Sequence, residues 1–310
     1  MLKRVAGTMF AVGLLLAANA QMAQPGAANM GQPGAVNYIE GQVSLNGQSV
    51  TARQVGSLQV TPGQVLETGN GKAEMLLTPG VFLRLSDRSA VRMVSPSIID
   101  TRVELMRGEA MVEAAQVERE NHLAILDHGA SALIGKRGIY EFRADVPTVV
   151  VFDGEAHVRQ GDGTIDVGKG KELLIGQNKP QKFNREGAES GDPLYAWSKL
   201  RSEYVAEANM STAQTFVVGA PGWYGTGWYW NPYFDSFAFM PGDGFFYSPF
   251  GWGWGFYSPG YYRAYAPYRG VYGYRGGYVG RPGFVGRPGI AAAPHMGGFG
   301  GGHFGGGGRR

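Results

Sequence analysis

The sequence predicts an all-β domain of short antiparallel strands, a sandwich or solenoid-like stack. One amphipathic helix follows it, then a disordered Gly/aromatic-rich tail. Three observations carry this reading. Between Asn37 and Asn178, apolar residues alternate with polar ones in short runs, the period-two signature of strands with one buried face. Turn-forming residues punctuate those runs at Asn46-Gly47, Pro62-Gly63, Gly69-Asn70-Gly71, Pro79-Gly80 and Gly161-Asp162-Gly163. Composition then breaks near Gly219, beyond which lie five of the six Trp, no Lys, and little Leu, Ile or Val to build a core.

Taken in chain order, residues 1–20 read as a secretory signal peptide. Lys3 and Arg4 open it, Val5 to Ala18 is apolar, and Ala18-Asn19-Ala20 is a small-x-small cleavage site. The apolar run is shorter than the ~20 residues that span a bilayer. A periplasmic or secreted bacterial location follows as an expectation, with no transmembrane span once the signal is removed. Residues 21–36, rich in Pro, Gly, Ala and Asn, are expected to be a flexible linker.

The β domain is expected over 37–178. In Lys72-Ala73-Glu74-Met75-Leu76-Leu77 every second residue can face a core. Val81, Leu83 and Leu85 alternate with Phe82, Arg84 and Ser86, and Val91 and Met93 flank Arg92. About 140 residues suffice for one core. A short motif recurs as Glu40-Gly41-Gln42-Val43, Arg107-Gly108-Glu109-Ala110 and Asp153-Gly154-Glu155-Ala156. Its glycine is expected at a positive φ or a close backbone approach where a strand begins.

The order of these elements resembles the FecR-domain family of bacterial envelope proteins. The likeness lies in Gly41-Gln42-Val43-Ser44-Leu45-Asn46-Gly47, Gly63 to Met75, Thr78 to Leu85, Ser89 to Arg92, Val103 to Ala110, Gly138 to Phe142 and Val149 to Ala156. It covers a little under half of the chain. The resemblance implies a β-rich extracytoplasmic module. In that family such a domain relays a signal from an outer-membrane receptor to an anti-sigma segment in the cytoplasm. Here no cytoplasmic segment precedes the leader, so a direct anti-sigma role is not expected.

Residues 179–192 are polar and read as a second linker. Asp192 followed by Pro193 is a helix start, with Asp as N-cap and Pro at the first position. A helix is expected over 193–210, with Leu194, Trp197, Leu200, Tyr204, Val205 and Ala208 on one face. It would cover a flank of the β domain or bind a partner. Residues 219–310 are low-complexity, and the stretch to about Pro259 is aromatic enough to collapse onto the body. The tail holds seven Arg against Asp235 and Asp243, an excess of five. With Lys3 and Arg4 in the leader, the net charge of +3 leaves residues 21–218 at −4. Any polyanion contact therefore belongs to the tail.

The absence of Cys excludes disulfides, Cys-metal sites and thiol nucleophiles. His122 and His128 stand six apart, which is not a metal-loop spacing. Asp127-His128 near Ser131, and Glu104 with Glu109, are the nearest approach to acid–base chemistry, and both read as surface groups. His157 reads likewise, and His295 and His303 in the Gly-rich end suggest no dedicated metal site. No catalytic, cofactor-binding or metal residues are assigned, and no cofactor is expected. The expected function is a non-enzymatic FecR-like interaction module in cell-envelope sensing or assembly, acting on an envelope protein partner through a strand edge or turns. The alternative is a structural or polysaccharide-binding envelope protein working through tail aromatics. Nucleic acid is not an expected partner behind a secretory signal.

Overall fold

Alternating runs become strands wherever the sequence supplies them. The computed structural model describes residues 30–217, 225–242 and 246–254. Its first strands are Met30–Gly31 (β1), Val36–Leu45 (β2), Gln48–Val50 (β3), Val65–Leu76 (β4), Val81–Leu85 (β5), Ala90–Ser97 (β6), Asp100–Arg107 (β7) and Glu109–Ala114 (β8). Then come His122–Asp127 (β9), Ala130–Ile134 (β10), Gly138–Arg143 (β11), Thr148–Asp153 (β12), Glu155–Gln160 (β13), Gly163–Gly168 (β14), Lys171–Leu174 (β15) and Gln181–Lys182 (β16). Helices Arg185–Gly191 (α1) and Pro193–Val217 (α2) precede Gly227–Asn231 (β17), Ser236–Met240 (β18), Phe246–Tyr247 (β19) and Gly253–Trp254 (β20).

Strands β2 to β16 form one sheet in the order β14-β13-β10-β9-β7-β6-β4-β5-β8-β11-β12-β15-β16, with β2 also on β4 and β3 on β2. Its pairs are antiparallel except β7 with β9, which are parallel. The sheet curls, so that β14 at one end comes against β12 and β15 near the other. The concave inner face closes on one core that includes Leu66, Met75, Leu83, Val103, Ile125 and Phe142. Each such side chain stabilises the fold by ~1.5–3 kcal/mol relative to exposure. The architecture is the all-β class that the alternation predicts.

Most turns fall where turn residues stand. Asn46 and Gly47 adopt φ of 49° and 76° in the β2–β3 hairpin, the left-handed pair of a two-residue hairpin turn. The recurring motif behaves alike, with Gly41, Gly108 and Gly154 at φ of 67°, 73° and 94°. At Gly154 an added Cβ would lie 2.2 Å from the Tyr140 hydroxyl. Gly69-Asn70-Gly71 differs from expectation. It is no turn but lies inside β4, opposite a register shift in β2 between Gly41 and Val43. A Cβ on Gly71 would meet the Glu40 carbonyl at 2.3 Å, so glycine there admits a close backbone approach.

Segment boundaries also differ. The expected linker over 21–36 is ordered from Met30: β1 pairs with β17, and Ala35 and Val36 are buried. The 179–192 linker contains β16 and α1, and the helix runs on from 210 to Val217. The largest difference lies in the tail. Within 219–310, expected to be disordered, β17 to β20 form, with β1-β17-β18 as a three-stranded sheet. Trp228, Phe237, Phe239 and Phe246 share a core cluster with Leu76 and Phe82 of the main sheet. Over 225–242 and 246–254 the expected collapse is thus a built layer. The leader 1–20, most of the first linker, and 255–310 with His295 and His303 lie outside the described residues.

Candidate functional site

Strict alternation would leave the outer face of the sheet polar and wet. Over β4, β5, β8, β11 and β12 it is instead a second buried face, covered by α1, α2 and β17 to β20. Phe82 and Arg84, expected to point away from any core, are fully buried here. Glu74 of β4 stands opposite Arg84 of β5, and Glu113 of β8 lies diagonal to it. Arg84 binds Glu74 through Nε and Glu113 through Nη1, both at 2.7 Å, with all three side chains out of solvent.

Helix α2 completes this seam. Arg201 Nη2 donates to Glu74 Oε1 at 3.0 Å, and the Ser202 hydroxyl donates to Glu113 Oε1 at 2.7 Å. Ser248, in the loop after β19, also donates to Glu113. Asn37 Nδ2 donates to Glu74, while its Oδ1 accepts from the Phe237 backbone at 2.6 Å. Burial pushes Glu74 upward, yet Arg201 and Arg84 outweigh it and hold the carboxyl below its ordinary range. This explains why the helix face differs from the expected one. Asp192 caps α2 as anticipated, accepting from the Leu194 and Tyr195 amides. Of the expected face, Leu194, Val205 and Ala208 are buried; the buried side also takes in Ser198, Arg201, Ser202, Asn209 and Thr212, while Leu200 and Tyr204 stand 49% and 51% exposed. Buried carboxylates need polar partners, so the polar stripe faces inward.

A second titrating group lies near the α2 N-terminus. Glu141 of β11, 1% exposed, takes both Nε and Nη2 of Arg143. Burial pushes its pKa up to about 7; the Arg143 hydrogen bond opposes this, and the charges of Asp192 and Glu109 add to it.

The other half of the outer face, over β6, β7, β9, β10, β13 and β14, carries no helix among the described residues. The register aligns its side chains in rows. One row is Arg92, Glu104, Leu126, Ser131, Arg159 and Thr164; the next is Ser95, Arg102, Ala124, Leu133, His157 and Asp166. Arg92 Nε donates to Glu104 at 3.0 Å, and His157 Nδ1 lies 2.6 Å from Asp166 Oδ1. Leu126 and Leu133 sit half-buried amid these charges. A cleft of about 300 Å³ opens beside this face, lined by Glu104, Asp127, His128, Ser131 and Arg159 among others.

The structure does bring Asp127 and His128 together, with Nδ1 2.6 Å from Oδ1. His128 holds a left-handed φ of 45° in the β9–β10 turn, a strained position for a non-glycine residue. Burial raises the Asp127 carboxyl against the lowering effect of His128. Ser131 lines the same cleft but makes no hydrogen bond to either among the described residues, so no nucleophile–base–acid chain is assembled. His122 pairs separately with Asp100 at 3.2 Å. Glu104 is held by Arg92, while Glu109 sits under Asp192, pushed upward by burial first and then by that charge. The described residues hold no group of three potential metal ligands and no helix long and apolar enough to cross a membrane. Sequence reasoning missed the Glu74–Arg84–Glu113 seam and the open rows. Period two marks which face a residue takes, not what covers that face.

No known protein family and no curated protein matches this chain. Among solved structures, it is similar to two crystal structures of a candidate anti-sigma factor from Parabacteroides distasonis ATCC 8503, both at 13% identity, with TM-scores of 0.35 and 0.36. The matches cover 41% and 44% of this chain and 62% and 64% of those chains, so it spans less than two thirds of their length. A likeness at that level assigns neither a family nor a function.

Proposed function

We propose that the chain is a non-enzymatic, FecR-like interaction module of a bacterial cell envelope, periplasmic or secreted, that serves sensing or assembly by binding an envelope protein. One observation carries this reading: the described residues cover only half of the sheet's outer face. The other half is an array of Arg, Glu and His around Leu126 and Leu133, ordered by strand register. Half-buried apolar centres inside a charged rim are the anatomy of a protein interface. The test places a photo-cross-linking residue at Ser131 or Thr164 in cells expressing the full chain. Discrete protein adducts in the envelope fraction, abolished by Arg92→Glu with Arg159→Glu, are the expected result. Adducts that survive both substitutions, or full chain recovered only in the cytoplasm, overturn it.

The polysaccharide reading draws on less than the composition suggested. Trp228, Tyr229, Phe237, Phe239 and Phe246 are buried and cannot stack on sugars. Tyr233, 88% exposed beside Phe234 at the β17–β18 tip, is what favours it among described residues. Loss of binding to purified envelope polysaccharide on Tyr233→Ala would support it.

A further inference from the structure

Helix α2 buries a polar stripe together with Leu194, Val205 and Ala208, and leaves a ridge of exposed Leu200 and Tyr204 next to the half-buried Trp197. Trp197, Leu200 and Tyr204 follow the i, i+3, i+7 spacing that puts side chains along one line of a helix. Trp197 is fixed in place: its indole donates to Glu40 Oε2 at 3.3 Å, and its ring lies 6.1 Å from that of Tyr38. Tyr38 in turn is held under the Arg201 guanidinium at 4.1 Å. An aromatic anchor held in advance loses little freedom on binding. The ridge has acid on both sides. Glu40 flanks it on the Trp197 side, and the 100° turn per residue puts Glu203 and Glu207 on the other. Glu203 and Glu207, like charges four apart, have no ion pair among the described residues. Their repulsion is a small standing cost in the free chain; exposed Lys199, one turn before Glu203, offsets part of it, and leaves Glu207 the charge that a cationic partner would meet.

We propose that this ridge is a docking surface for a cationic, apolar-faced helix of a separate protein, whose Lys or Arg residues straddle its apolar anchors. The proposal goes beyond the open-face reading. It concerns a different element, and either surface can fail while the other stands.

The test titrates full-length protein into a fluorescein-labelled 18-residue amphipathic helix of Leu, Ala and Arg, read by anisotropy, beside a counterpart with Glu for Arg. The cationic peptide is expected to bind with a Kd on the order of 10 µM, weakening as salt rises, while the Glu peptide does not bind. Leu200→Ser with Tyr204→Ser, and separately Glu203→Lys with Glu207→Lys, are each expected to weaken binding about tenfold or more. All four side chains are wholly or partly solvent-exposed, so unchanged melting temperatures confirm that the variants fold. Equal binding by wild type and both variants, or equal binding of the two peptides, overturns the proposal. So does binding seen only after deletion of residues 255–310, which would make the chain's own basic tail the occupant.

Discussion

Glu141 offers a prediction whose size follows from its position. Its carboxyl is 1% exposed and its pKa rises from an ordinary 4.5 to about 7, burial outweighing the bidentate Arg143. The folded state therefore binds a proton between pH 4.5 and 7 that the unfolded chain has released. Stability falls with pH wherever the folded state holds the extra proton. The contribution is fully present below pH 4.5, declines as pH rises, and is gone above about 7. A displacement of that size corresponds to about 3 kcal/mol. Glu141→Gln mimics the protonated form and cannot titrate. Arg143 on β11, Glu109 on β8 and Asp192 at the head of α2 are the charges that face it, and all three remain in the variant. Urea unfolding followed from pH 4 to 8 should show wild type losing about 3 kcal/mol relative to Glu141→Gln across that window. Parallel stability curves would refute the argument, and so would a wild type that gains stability relative to the variant as pH rises.

Three further outcomes follow. A chain ending at Val217 loses Trp228, Phe237 and Phe239, each worth ~3–5 kcal/mol against alanine. Together these approach the whole stability of a typical domain, so circular dichroism should show no cooperative melt; a melt as cooperative as that of full length would refute this. Glu113→Ala leaves Arg84 and Arg201 sharing the single carboxylate of Glu74, one buried positive charge in excess, and should cost about 3–5 kcal/mol, a loss that changes little between low and high salt because the group is buried. Gly154→Ala, where the new methyl meets the Tyr140 hydroxyl, should destabilise clearly more than Gly47→Ala. At Gly47 φ is also positive but nothing lies within 4 Å, and left-handed strain alone costs ~1–2 kcal/mol; chemical denaturation of the pair separates the two terms.

Much of the sheet was legible because its signals are local. Val81, Leu83 and Leu85 face the inner core as their alternation requires, and Asn46-Gly47 turns as that pair does elsewhere. What escaped depends on covering layers. Gly69-Asn70-Gly71 reads as a turn until β2 is known to bulge against it. The tail reads as disordered by composition, since Gly and Pro are dense and aliphatics rare. Yet over 225–242 and 246–254 aromatics supply the apolar area that aliphatics supply elsewhere, packing edge to face as Phe82 does with Trp228 at 4.7 Å between centroids. Composition counted the missing Leu and Val but not the buried area an indole brings.

The two halves of the outer face show why the site was harder to read than the fold. Glu74 and Glu104 each stand one residue from a core side chain in an alternating strand, and nothing in their neighbours tells them apart. One lies beneath a helix residue 127 positions away and bonds to an Asn whose other contact is 199 and 200 positions along the chain. The other meets solvent and the arginine across the strand. A buried ion cluster of the first kind adds little net stability compared with apolar packing. What it does add is position: Arg201, Ser202 and Ser248 can satisfy Glu74 and Glu113 from only one placement of α2 and the β19–β20 turn, whereas an apolar layer would tolerate sliding. The same fixed placement leaves Leu200 and Tyr204 exposed beside the half-buried Trp197. The register of the buried charges thus decides which apolar residues the helix leaves for a partner.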